Sequence, residues 1–109
     1  MKETLGEYIH NLRVNKGLTL TKLAAALDID QSTLSKIENN KRNVGPEILI
    51  KVAEVFSIDY MQLRLEYNSQ RIAEILYLEN DSTVLIELAQ EKAKYLKIKN
   101  ALQGNLDLK

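Results

Sequence analysis

The chain has 109 residues, 15 basic and 15 acidic side chains, 45% hydrophobic residues, one proline and no cysteine. That length supports one compact domain with an extension and leaves no room for two independent cores. The missing cysteines exclude disulfides and thiolate metal sites. The opening "MKETLGEYIH" has no unbroken apolar run, and no stretch approaches the roughly 18 apolar residues of a membrane span, so a soluble, cytoplasmic protein is expected.

Scarce proline and glycine favour helix, and the whole chain is predicted all-α. Leu5, Tyr8, Ile9 and Leu12 recur at helical spacing and predict a first helix over residues 4–16, stopped at Gly17. Thr19 is placed to cap a second helix with the stripe Leu20, Leu23, Ala24 and Leu27, ending near Asp28. Only Asp28, Ile29 and Asp30 separate it from a third helix over residues 31–39, capped by Asp30 and anchored inward by Leu34 and Ile37. Helices joined this tightly cross steeply. Ala24 is the small residue such a crossing needs, Asp28 tolerates the positive φ of the turn, and Ile29 plugs the gap.

Beyond the loop "NNKRNVG", Pro46 suits the first turn of a fourth helix with the stripe Leu49, Val52, Ala53 and Phe56. Asp59 is expected to cap a fifth. From there to Leu78 the positions Leu63, Tyr67, Ile72, Ile75 and Leu76 share a helical face, although "YNSQ" at 67–70 is poor in helix formers and is expected to be a possible break. Asp81 or Ser82 caps a last helix reaching about Ala101, on which Val84, Leu88, Tyr95, Ile98 and Leu102 recur at spacings of three, four or seven. The tail "QGNLDLK" is expected to fray. Punctuation thins after residue 58, which divides the chain into a head, 1–58, and an extension, 59–109.

Zero net charge argues mildly against a phosphate-rich partner, but its distribution argues the other way. Between residues 13 and 42 six cations, Arg13, Lys16, Lys22, Lys36, Lys41 and Arg42, face three anions, Asp28, Asp30 and Glu38. The third helix opens on Gln31, Ser32 and Thr33 where a core helix shows apolar residues. Capping alone is the competing explanation for them. Lys92, Lys94, Lys97 and Lys99 are spaced around the last helix and are read as solubilising. His10 is the only histidine and has no metal-ligand company, Asp28 and Asp30 belong to a capping turn, and no Gly-rich phosphate loop follows a strand. No cofactor, no metal and no enzymatic activity are expected.

Over residues 4–58 the run "LGEYIHNLRVNKGLTLTKLAAALDIDQSTLSKIENNKRNVGPEILIKVAEVF" resembles the Xre/Cro family of helix-turn-helix transcription regulators, down to the "LSKIENNKR" that closes the third helix. The resemblance implies a five-helix, lambda-repressor-like head that binds double-stranded DNA. It implies that Gln31, Ser32, Thr33 and Lys36, with Ser35 beside them, face base edges, where an amide can pair bidentately with adenine. Lys22, Asn40, Lys41 and Arg42 would meet phosphates, and Arg13 and Glu38 would form the pair joining the first helix to the third. Leu20 departs from the family's frequent Gln, Asp28 from its turn Gly, and Val44 from a loop Pro.

The extension resembles the family only thinly. It is read as a helical dimerisation arm through Leu63, Tyr67, Ile72, Ile75, Leu76, Leu88 and Tyr95, giving a homodimer that presents two heads to successive major grooves roughly 34 Å apart. In size and plan the chain is similar to restriction-modification controller proteins. The reading from another class is an antitoxin or adaptor whose C-terminal helices bind a partner protein, for which exposure of Tyr77, Leu78, Ile86 and Leu96 is the discriminating feature.

Overall fold

Every described helix except the fourth begins where the sequence supplies a side chain to satisfy its first amides. Thr4 forms a reciprocal cap with Glu7: its hydroxyl accepts from the Glu7 N–H at 3.2 Å and its N–H donates to Glu7 Oε1 at 3.0 Å. Thr19 accepts from the Lys22 N–H, Asp30 from the Thr33 N–H, Asp59 from the Met61 N–H and Asp81 from the Val84 N–H. Pro46 stands at the start of its helix, where no amide hydrogen is needed. In the computed structural model, which describes residues 3–103, these caps open α1 Leu5–Asn15, α2 Leu20–Ala26, α3 Gln31–Glu38, α4 Pro46–Phe56, α5 Tyr60–Leu78 and α6 Ser82–Gln103. The all-α expectation holds. The tail from residue 104 lies outside the described residues. No helix of the described chain is long and apolar enough to cross a membrane.

The helices end where the backbone turns left-handed, at Gly17 (φ 75°), Asp28 (60°), Asn40 (61°) and Ser57 (54°). Asp28 therefore takes the conformation expected of it. Lys51 of α4 supports that turn, its Nζ lying 3.5 Å from the Leu27 carbonyl and 3.7 Å from Asp28 Oδ2. A cation at a helix C-terminus is favourable both for the unpaired carbonyls and for the dipole.

The chain divides into two compact units, Met1–Arg71 and Ile72–Lys109. The first encloses a core in which Ile9, Leu23, Leu27, Leu34, Ile37, Leu49, Val52 and Leu63 have almost no exposed surface. Gly6 permits α1 to approach α3: a Cβ there would collide with the Ile37 carbonyl oxygen and crowd Asn40 Oδ1 at 2.6 Å.

Three sequence-based expectations change here. Residues 1–58 hold four helices, and the fifth member of the head is the start of α5, so the division falls after Arg71. Leu63 is fully buried in the head's core, so it is not available as a dimerisation contact, and Tyr67 is partly buried against that core. The "YNSQ" segment does not break the helix. Ser69 turns its hydroxyl back onto the Glu66 carbonyl at 2.9 Å, and Gln70 Oε1 accepts from the Leu5 N–H at 3.1 Å, capping α1 from a distant helix. Tertiary packing uses the residues whose local preference is weak.

The second unit is a different kind of object. None of the residues of α6 is buried. Ile72 and Ile75 of α5 and Leu88 and Tyr95 of α6 are exposed, while Leu76 is half-buried. Ile72, Ile75, Leu76, Leu85, Ile86 and Ala89 line an open apolar groove between the two helices.

Candidate nucleic-acid interface

Where α3 points is decided by its two faces. Leu34 and Ile37 lie in the core, whereas Gln31, Ser32 and Lys36 are exposed and Thr33 and Ser35 are half-buried. In the first turn of α3 Gln31 and Ser32 are exposed, and Thr33 is half-buried. Gln31 and Ser32 thus carry their amide and hydroxyl groups on the outside, as expected. Thr33 is more constrained: its N–H is 2.6 Å from Asp30 Oδ1 and its hydroxyl also bonds that carboxylate. These bonds from Thr33, aided by the charges of Arg42 and Lys36, hold the Asp30 carboxyl below its ordinary range against a small opposing desolvation.

The far end of α3 is fixed by an ionic cluster around the buried Glu38. Arg13 of α1 meets Glu38 through two bonds, Nε to Oε2 at 2.7 Å and Nη2 to Oε1 at 3.0 Å, and donates a third from Nη1 to the Leu18 carbonyl at 3.1 Å. This is the pair expected from the sequence. Burial pushes the Glu38 carboxyl up, but the hydrogen bonds and charges of Arg13 and His10 outweigh it, so the group titrates below the usual carboxylate range. The bond to Glu38 holds the Arg13 guanidinium above its ordinary value. His10 was not expected here. Its Nδ1 is 2.8 Å from Glu38 Oε1 and 3.2 Å from Arg13 Nη2. Arg is a donor and carboxylate an acceptor, so Nδ1 serves Glu38 by carrying a hydrogen. The signal was present, because His10 lies one helical turn before Arg13 on α1.

The basic residues separate into two groups. Lys22, Lys36, Lys41 and Arg42 are exposed. Lys16 is engaged elsewhere, donating to the Val55 carbonyl at 3.1 Å and lying 5.8 Å from the centre of the Phe56 ring. Asn40, read from the sequence as a phosphate contact, is exposed and also makes contacts within the chain. Its Nδ2 donates to Thr4 Oγ1 at 2.8 Å and its Oδ1 accepts from the Gly6 N–H at 3.3 Å. With φ positive at Asn40 and the Lys41 N–H bonded to the Lys36 carbonyl at 2.8 Å, this residue closes α3 and ties it to the start of α1. Leu20, where a phosphate-touching Gln is frequent, packs half-buried against the core.

One contact at the exposed end of α3 has no sequence signal. The Thr21 hydroxyl, on the first turn of α2, donates to Gln31 Oε1 at 2.8 Å. The contact takes one of the two lone pairs of the Gln31 oxygen and leaves the second, with the amide hydrogens, for a further partner. Among the described residues no cluster of His, Cys, Asp or Glu is arranged to hold a metal ion.

Known proteins share this arrangement. Residues 9–63 match the helix-turn-helix family. The HTH-type transcriptional regulator RamB of Mycobacterium tuberculosis is 27% identical over 88 residues, covering 79% of this chain and 19% of RamB. The HTH-type transcriptional repressor RghR of Bacillus subtilis is 37% identical over 59 residues, 53% of this chain and 44% of RghR. The chain thus spans less than half the length of these curated relatives. Among solved structures, the clp gene regulator ClgR of C. glutamicum superposes with a TM-score of 0.51 at 28% identity, over 60% of this chain and 84% of that one. A complex of the SinR and SinI proteins gives 0.52 over 94% of this chain and all of its own, and at 23% identity it speaks to the fold alone.

Proposed function

The chain belongs to the helix-turn-helix family of Xre-type transcriptional regulators, and on that premise we propose that it is a cytoplasmic, sequence-specific repressor or autoregulator binding a two-fold symmetric operator as a homodimer. The observation that carries this reading is the split character of α3, with Leu34 and Ile37 sealed in the core and Gln31 and Ser32 turned outward. A helix anchored so and led by small polar side chains fits a major groove, and the exposed Lys22, Lys41 and Arg42 suit the flanking phosphates. Gln31, Ser32, Thr33, Ser35 and Lys36 are the proposed base-facing set.

The test compares base-facing with phosphate-facing substitutions on an operator recovered by footprinting the DNA upstream of the protein's own gene. Gln31→Ala is expected to cost about 1–3 kcal/mol on the operator and to relax preference at one base pair. Lys41→Ala is expected to weaken operator and random duplex alike and to lower the salt slope by about 0.9. Equal losses on both duplexes for both variants would refute the assignment.

A second reading is favoured by the uncovered apolar surface of the Ile72–Lys109 unit, where Tyr77 and Leu78 are 86% and 79% exposed. Here the C-terminal helices take a different protein as partner. Light scattering separates the two: a clean homodimer favours the first, and a monomer with a sticky surface favours the second.

A further inference from the structure

The last helix carries two apolar rows, and only one of them faces α5. Leu85, Ile86, Ala89 and Ala93 line the groove that α6 shares with α5. Val84, Leu88, Tyr95, Ile98 and Leu102 lie outside that groove, and each is 47% exposed or more. With Glu91 between Leu88 and Tyr95 they follow one another at alternating steps of four and three residues, the mean step of about 3.5 that lets one helix seat against another along its length. Glu91 is the one charged member of the row.

That row is its own complement when turned end for end. Set antiparallel to a second copy with the two-fold axis level with Ala93, Val84 meets the partner's Leu102, Leu88 the partner's Ile98, and Glu91 the partner's Tyr95, a carboxylate against a hydroxyl that can donate to it. An interface between identical copies about a two-fold axis requires this, since each surface must hold both halves of every pair. A parallel pairing instead sets each residue of the row against its own copy. Two Glu91 carboxylates then meet within an apolar row, where like charges repel with little water to screen them. The flanking charges do not choose between the two forms. Glu87 falls beside the partner's Lys94 in the antiparallel form and beside the partner's Lys92 in the parallel one, each form also brings lysines together, and exposed pairs of this kind are worth little.

We infer that two copies join through this row with their α6 helices antiparallel, the Glu91 carboxylate of each accepting a hydrogen bond from the hydroxyl of the partner's Tyr95. This rests on the homodimer proposed above and gives it an orientation.

The experiment uses the full chain, which has no cysteine, so Thr83→Cys at an exposed position near the start of α6 gives each copy one attachment point for a nitroxide spin label. Pulsed electron paramagnetic resonance reads the distance between the two labels. At ~1.5 Å per residue Thr83 lies about 15 Å along the helix from Ala93, so the antiparallel form puts the labels roughly 30 Å apart, against the ~10 Å spacing of packed helices in the parallel form. The dimer dissociation constant, from analytical ultracentrifugation, supplies the second readout. Glu91 and Tyr95 are both exposed, so changing either leaves the folded single chain undisturbed. Tyr95→Phe keeps the ring and is expected to raise the constant about 10-fold or more, because two hydrogen bonds are lost per dimer. In Glu91→Leu, where the acceptor is gone, the same Tyr95→Phe change is expected to shift it by less than about 2-fold.

Labels at the short distance overturn the antiparallel orientation. A long distance with a Tyr95→Phe loss of equal size in both backgrounds overturns the Glu91–Tyr95 pair, and so does a Tyr95→Phe dimer as tight as the wild type. In each of these cases the homodimer stands. A wild type that stays monomeric at every concentration removes the homodimer itself, and this inference with it.

Discussion

Glu38 has 6% of its side chain exposed, yet it accepts bonds from two residues of α1 and sits on the helix proposed to read DNA. Its carboxyl is held below the usual range by Arg13 and His10 despite burial, so its contribution to stability follows a definite sign. The folded chain binds this proton less readily than the unfolded chain. The contribution is therefore complete above the unfolded value of about 4.3 and is lost as pH falls through the lower folded value. Asp30, also depressed, acts in the same direction. Glu38→Gln leaves Arg13 without its counter-charge and is expected to cost about 3 kcal/mol at neutral pH. Urea midpoints measured from pH 7 down to about 3 should converge for wild type and variant on the acid side. Parallel curves would mean that the pair does not titrate with folding. The Arg13–Glu38 pair was legible in the sequence through family resemblance. Thr21 and Gln70 were not, because each acts on a residue of another helix and no spacing rule links them.

Among the elements, α5 was the least legible. Its start was read as the beginning of a separate arm because turn signals thin out after Asp59, and "YNSQ" was read as a possible break within it because that stretch lacks strong helix formers. Both inferences used local preference, and the deciding facts are tertiary: Leu63 fills the head's core and Gln70 caps α1. By contrast α1 to α4 were legible nearly to the residue, since each carries a side-chain cap or, in α4, an opening proline, together with its own stripe and its own left-handed stop. If the first turns of α5 belong to the head, Leu63→Ala removes a fully buried side chain and should destabilise the folded chain by about 2–5 kcal/mol, seen as a lowered urea midpoint. It should leave the mass in light scattering unchanged. A variant that unfolds like the wild type but loses its oligomeric state would return Leu63 to an interface.

For the whole molecule, the contrast between the two units bears on assembly. Met1–Arg71 buries the chain's core, whereas in Ile72–Lys109 the residues Ile72, Ile75, Leu88, Tyr95, Leu96 and Ile98 are each 47% exposed or more. A two-helix unit with so much apolar surface in water gains by covering it, and a second copy is the cover that the proposed two-fold operator also requires. Leu88 tests this, since its substitution costs the isolated chain little. Leu88→Glu should leave the melting of the head unchanged but place an unpaired carboxylate in any interface formed by α6. The mass by light scattering should fall from dimer to monomer, and half-saturation on the operator should rise and depend more steeply on protein concentration, because two heads no longer arrive linked. A dimer of unchanged mass would exclude this face of α6 from the homodimer.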